Sequence, residues 1–204
     1  MTTIYLLRHG QTVWNEQGDR FCGTADVELT AKGIQQAKRA ANQLKDISLD
    51  AIFHSGLVRS RQTAQEIFHV QEAAGYHPLF ERFDAFQEVG FGDWEGLTKP
   101  EVHQQYGDLY EAWVQSPAET AIPGGEDLQD SQSRAFQKLQ ELSMKYKGGK
   151  LAIVAHNTIN RLMFMAILKA PINSYRTIIQ SNACLNILEW VSDDTFKIQG
   201  VNLT

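Results

Sequence analysis

Short, fully apolar runs alternate with longer amphipathic segments along this chain, and that alternation constrains its fold more than any other feature. Residues 4–7, 51–53 and 151–155 are compact apolar runs suited to buried strands, the last opened by Gly148-Gly149. After Thr30, an N-cap residue by type, apolar side chains recur at Ile34, Ala37, Ala41 and Leu44, the spacing of one helical face. Residues 57–74, ending at Gly75, read as a second helix, and 99–114, 127–146 and 158–169 as three more. Pro117, Pro123, Gly124 and Gly125 separate 99–114 from 127–146. Residues 183–190 and 196–201 read as closing strands, while 78–83 fits strand or loop. Strands interleaved with helices imply an α/β layered fold with a largely parallel sheet. No repeat, low-complexity tract or linker divides the 204 residues, so 1–204 is expected to be a single domain.

Such sheets gather functional residues in the loops beyond the carboxyl ends of their strands. Two apolar runs here end alike, in Leu7-Arg8-His9-Gly10 and Val154-Ala155-His156-Asn157, and a third, Phe53-His54-Ser55, leads toward Arg59. The pattern predicts one site fed by three loops. Its chemistry would suit a phosphate group. Arg8 and Arg59 offer planar, fork-shaped cations for bidentate contacts. A neutral imidazole is a competent nucleophile, so either His9 or His156 could form a covalent phosphoryl intermediate, with the other stabilising charge on the equatorial oxygens. Glu88, in a loop rich in glycine and aromatics, is a candidate general acid for the departing oxygen. Taken singly, each signal is weak, because a strand-end histidine is more often structural.

Charge and composition remove other classes. The formal net charge is −5 with no basic block, which argues against nucleic acid as a partner. Any positive charge for an anionic substrate must therefore be local. No run of about 18 apolar residues is present, which argues against a membrane span. The N-terminus runs straight into an apolar strand without a basic leader or cleavage site, and Cys22 and Cys184 form no CxxC pair. A cytoplasmic protein is expected.

Longer motifs sharpen the reading. Leu7-Arg8-His9-Gly10-Gln11-Thr12-Val13-Trp14-Asn15 closely resembles the signature of the histidine phosphatase superfamily, the phosphoglycerate-mutase-like fold. Residues 22–33 resemble its next block, where glycine lets the backbone approach substrate. Residues 55–64 resemble the third, with Gly56 in place of the family's usual proline. Residues 88–96 are similar to the catalytic-acid block, and Pro123-Gly124-Gly125-Glu126 to the loop before the long helix. The resemblance runs in order from residue 4 to about residue 165. It implies a three-layer α/β/α fold around a largely parallel sheet. It also implies that His9 is the phosphorylated nucleophile, that Arg8, Asn15, Arg59 and His156 form the phosphate pocket, and that Glu88 is the proton donor. Thr12 would orient the signature loop, and Gly23, Thr24 and Asn157 would lie against substrate or phosphate. Neither metal nor cofactor is implied. Asn157 replaces the family's usual glycine after the second histidine; asparagine tolerates a left-handed backbone, or could narrow the pocket.

The remaining polar and aromatic residues have plainer readings. His54 is expected to be a neutral strand-end histidine, and His69, His77 and His103 solvent-exposed. Phe86, Phe91, Trp94, Tyr106 and Trp113 are mostly core candidates, and Cys22 a packing residue.

Three functions compete. The first is a phosphatase acting on small phosphorylated metabolites such as sugar or carboxylic-acid phosphates, with an α-ribazole-phosphatase-like role included. The second is a cofactor-dependent phosphoglycerate mutase, and the third a non-catalytic binding module. Mutases of the resembled family place an arginine pair after a tryptophan in the helix following the acid block, whereas Trp113 is followed here by Val114 and Gln115. Lys99 does stand where mutases have a substrate-binding lysine. The hydrolase reading is therefore preferred. A homodimer is compatible with the sequence but not required by it.

Overall fold

The computed structural model describes residues 1–192 and 195–204. In chain order the elements are β1 (Thr2–Arg8), α1 (Val13–Glu16), α2 (Ala31–Gln43), β2 (Ala51–His54), α3 (Val58–Ala73), β3 (Leu79–Arg82), α4 (Lys99–Gln115), α5 (Leu128–Lys145), β4 (Lys150–Ala155), α6 (Asn157–Leu168), β5 (Leu185–Ser192) and β6 (Thr195–Leu203). Among the described residues the strands form one sheet in the order β3-β2-β4-β1-β5-β6. The first four run parallel, and β5 and β6 are antiparallel additions. The expected layered α/β architecture is present, with a mixed, mostly parallel sheet at its centre.

Alternation of side chains along each strand divides the interior into two cores. Ile4, Leu6, Phe53, Leu151 and Ile153 join Leu139 of α5 and Leu162 of α6 on one face. Tyr5, Leu7, Ile52, Ala152 and Val154 join Ala41 of α2 and Ile67 of α3 on the other. Central strands are apolar at every position because both faces are covered, which is why they read as unbroken apolar runs. Burying each large aliphatic side chain contributes about 1.5–3 kcal/mol.

Local chemistry sets the helix starts. Thr30 caps α2 by accepting from the Gly33 N–H, as its sequence position predicts. Thr98 and Glu101 form a reciprocal capping box at α4, and Asp127 accepts from Gln129 and Asp130 at α5. Two differences from the sequence reading stand out. Residues 78–83, ambiguous by pattern, contain the edge strand β3. The helix read as continuous over 99–114 is broken at Gly107, whose φ of 36° interrupts the α conformation.

Strand order brings three loops together. β4 lies between β1 and β2, all parallel, with Arg8 opposite Ala155 and His54 opposite Val154. The segments that follow these strands therefore leave the sheet side by side, at its carboxyl edge.

Candidate active site

His9 and His156 emerge from neighbouring strands, and their rings stand 5.1 Å apart between centroids. The His9 N–H donates to the Ala155 carbonyl at 3.1 Å, which locks the loop after β1 onto the end of β4. His9 Nδ1 lies 2.7 Å from the Gly10 carbonyl. A carbonyl only accepts, so Nδ1 carries the ring hydrogen and Nε2 keeps its lone pair. Burial, then the charges of Arg59 and Arg8, hold the His9 pKa well below the ordinary histidine value. The ring is therefore neutral near pH 7, as a nucleophile must be.

Glycine shapes the same loop. A Cβ on Gly10 would fall 2.4 Å from the Gly33 carbonyl oxygen, so any larger residue would push the signature loop off the start of α2. The Gly10 N–H donates to Thr63 of α3. Thr12 is fully buried, caps α1 and donates its hydroxyl to Asn15 Oδ1.

His156 is fully buried behind His9. Its Nε2 is 2.7 Å from Ser55 Oγ, at the start of the loop after β2. With the Ser55 hydroxyl donating, Nδ1 carries the hydrogen, and that buried atom has no partner among the described residues. Burial, followed by Arg59, His9 and Arg8, again keeps the ring neutral.

Arg59 is fully buried and Arg8 half-buried, and both are held from behind. Arg8 donates Nη1 to the Gln180 carbonyl at 2.6 Å. Arg59, fully buried, donates Nη1 to the Ala25 carbonyl and Nη2 to the Gly23 carbonyl. Arg59 therefore fixes the loop around Gly23 as well as lining the cavity. Neither Nε has a partner among the described residues. Burial lowers both guanidinium pKa values somewhat, yet arginine stays charged.

A cavity of about 310 Å³ is lined by Arg8, His9, Asn15, Gly23, Arg59, Glu88 and Asn157 among others, while His156, fully buried behind His9, is not among its lining residues. Thr12 and Thr24 are not among its lining residues. Thr24 is exposed and donates its N–H to Glu95 in a larger neighbouring cleft of about 650 Å³. That cleft carries Asp84, Glu95 and Glu126, and the arginine lining it, Arg134, is already paired with Glu126. Of the two readings the sequence left open for Asn157, the left-handed one does not apply. It is the first residue of α6 with no positive φ, so no left-handed loop is needed and glycine is not conformationally required. Gly56, by contrast, has φ of +93°, a value closed to proline.

Glu88 lies where the two cavities meet. Its carboxylate accepts from the Thr158 and Ile159 N–H groups at 3.0 and 2.9 Å, as well as from Val89. It thereby caps α6, whose own N-cap residue, His156, provides no side-chain cap. The loop carrying Glu88 is clamped by Arg134 of α5, which donates to the carbonyls of Ala85, Gln87 and Glu88. Glu126, paired with Arg134 at 2.7 Å, accepts from the Gly90 N–H.

Residues 4–204 match the histidine phosphatase superfamily (branch 1). The chain belongs to that superfamily. It is 32% identical over 188 residues to 2-carboxy-D-arabinitol-1-phosphatase of Triticum aestivum, covering 92% of this chain but only 37% of the wheat protein's length. It is 34% identical over 171 residues to a 2,3-bisphosphoglycerate-dependent phosphoglycerate mutase of Mesorhizobium japonicum, covering 81% of each chain. The solved structure of YhfR from Bacillus stearothermophilus superposes with a TM-score of 0.89 at 29% identity, over 100% of this chain and 98% of that one. The histidine phosphatase relatives thus include both a phosphatase and a mutase.

Several residues in or behind the cavity of this superfamily member escaped the sequence reading. Ser55 was visible as a hydroxyl just past a strand end. Arg161, one helical turn beyond Asn157, could have been found from its spacing. Gln180 sits in irregular backbone, and Arg176 in the short 3-10 segment Ile172–Thr177, neither of which carries a periodic signal. His54 behaves as expected: buried against Phe80, with its pKa lowered to about 4 by burial and by Arg61 and Arg82. His69, His77 and His103 are exposed. Phe86, Phe91, Trp94 and Trp113 are buried, and Phe91 and Trp113 also reach the cavity. Among the described residues no helix is long and apolar enough to cross a membrane.

Proposed function

We propose that this histidine phosphatase hydrolyses small phosphate monoesters through a phosphohistidine formed on His9. The observation that carries the reading is the neutral His9 ring, its Nε2 lone pair left free by the Nδ1 hydrogen bond, beside the fully buried Arg59 and the half-buried Arg8. Arg8 and Arg59 bind the phosphoryl oxygens. His9 Nε2 attacks phosphorus, the N–P bond forms and the P–O ester bond breaks. Glu88 gives a proton to the departing alkoxide. As charge gathers on the equatorial oxygens, His156 donates from Nδ1, oriented by Ser55. Water then attacks the phosphohistidine, its proton returns to Glu88, and inorganic phosphate leaves with His9 regenerated.

The mutase reading is supported by the Mesorhizobium relative and by Lys99, which lines the cavity. Val114 and Gln115 count against it. Phosphate release from a panel of monoesters, measured beside conversion of 3-phosphoglycerate to its 2-isomer with the 2,3-bisphosphate present, separates the two. The phosphatase reading predicts phosphate release far faster than exchange. Efficient exchange with negligible release would make the chain a mutase, and neither activity would favour a binding module.

A further inference from the structure

Thr24 lies outside the cavity, yet the loop that carries it is pinned from two sides. The carbonyls of Gly23 and Ala25 accept from Arg59 Nη2 and Nη1 at 2.7 and 2.6 Å. Between them the Thr24 N–H donates to Glu95 Oε1 at 2.9 Å. The same oxygen accepts from the Phe91 N–H at 3.0 Å, three residues beyond Glu88. One carboxylate oxygen thus joins the loop clasped by Arg59 to the loop that carries the proton donor.

The junction is close-packed as well as hydrogen-bonded. A Cβ on Gly23 would fall 1.7 Å from Glu95 Oε1, so the carboxylate rests against the bare Cα of a residue whose φ is +46°. Backbone pairing continues beside it. The Gly96 N–H donates to the Phe21 carbonyl and the Phe21 N–H to that of Leu97, both at 2.9 Å. Among the described residues no Lys, Arg or His side chain forms an ion pair with Glu95. Its hydrogen bonds go to backbone amides and, at 3.4 Å, to the Thr24 hydroxyl. Glu95 lines the neighbouring cleft and not the cavity, whereas Gly23 and Phe91, on either side of it, do line the cavity. It therefore stands behind the wall of the site rather than in it.

We propose that Glu95 is a positioning residue for phosphoryl transfer: by accepting from Thr24 and Phe91 with one oxygen, it fixes Arg59 and its loop relative to the loop bearing Glu88. The reach of that oxygen, not its charge, performs the role. The proposal rests on the reading of Arg59 as a phosphate ligand and Glu88 as the proton donor.

Two conservative variants separate reach from charge. Glu95→Gln keeps a carbonyl oxygen on a side chain of the same length, with two lone pairs for the two N–H groups, and loses the charge. Glu95→Asp keeps the charge and withdraws it by one methylene. Loop order is read first, by hydrogen exchange on the unliganded chain. Amides in 22–25 and 89–92 should exchange about tenfold or more faster in Glu95→Asp than in wild type, and within about threefold of wild type in Glu95→Gln. Activity is read second, with an alkyl phosphate and with p-nitrophenyl phosphate. Glu95→Asp should lose about tenfold or more in kcat/KM on both substrates, and Glu95→Gln less than about threefold. The opposite ranking, with Glu95→Gln the weaker enzyme, would overturn the proposal. So would a Glu95→Asp variant with wild-type exchange, or one with loosened loops and unchanged activity. The expected exchange pattern in a chain that releases no phosphate from any monoester would keep the coupling of the two loops and reject the phosphatase reading.

Discussion

At the residue scale, the site depends on which nitrogen of each histidine is free. The Gly10 carbonyl forces the His9 hydrogen onto Nδ1 and frees Nε2, whereas the Ser55 hydroxyl, donating to His156 Nε2, leaves that ring's Nδ1–H free. Both rings have pKa values pushed well below 6.5, chiefly by burial. Lowering the pH from 7 to about 5.5 should therefore leave both neutral, and nitrogen-resolved NMR of the imidazoles should show no protonation in that range. A midpoint near 6.5 for His9 would contradict the electrostatic account. The proton donor has its own test. Glu88→Gln should slow single-turnover phosphoryl transfer from an alkyl phosphate by roughly 10²–10⁴-fold, and less for p-nitrophenyl phosphate, whose leaving group departs without a proton. Equal loss on both substrates would deny Glu88 the acid role. A leaving-group-dependent loss in Glu95→Gln instead would assign it to the other carboxylate. His9, Arg8 and Glu88 were legible because they stand at fixed spacing in linear motifs. Arg176 and Arg134 were not, since what defines them is a neighbour distant in sequence.

At the element scale, the acid loop is held by helices rather than by its own backbone. Glu88 caps α6, and Arg134 of α5 ties the carbonyls of residues 85, 87 and 88 to Glu126. Arg134→Gln should therefore lower kcat about tenfold or more with KM changed less than about threefold, because a displaced acid affects the transition state more than ground-state binding. An unchanged kcat would show that the loop keeps its place without the clamp. The strands and helices themselves were largely readable, since apolar runs and helical spacing are local properties. Where reading failed, the deciding contact was not local. Residues 78–83 become a strand by pairing with β2, and the break at Gly107 lies within a segment whose composition is otherwise helical.

At the scale of the whole molecule, an acidic chain of net charge −5 encloses a basic cavity. Such a focused field should speed capture of anionic substrates. Raising ionic strength from about 0.02 to 0.5 M should lower kcat/KM for a charged monoester several-fold while kcat changes little. A kcat/KM independent of salt would mean the cavity's charge does not act beyond contact distance. The sheet order that assembles the cavity was only partly legible. Sequence pattern implied parallel strands with histidines at their ends, but not that β4 would lie between β1 and β2. That adjacency brings His9, His156 and Ser55 into one site, and it depends on crossover connections that pattern alone does not order.

The central claim is that His9 carries the phosphoryl group between its two transfers. It is tested most directly by rapid base quenching of the enzyme during turnover of a labelled monoester, followed by intact-protein and peptide mass analysis. The account predicts one base-stable, acid-labile phosphoryl group, located on His9 and absent from a His9→Ala variant that keeps its fold but loses turnover. Label on a serine, label on His156, or full turnover by His9→Ala would contradict it.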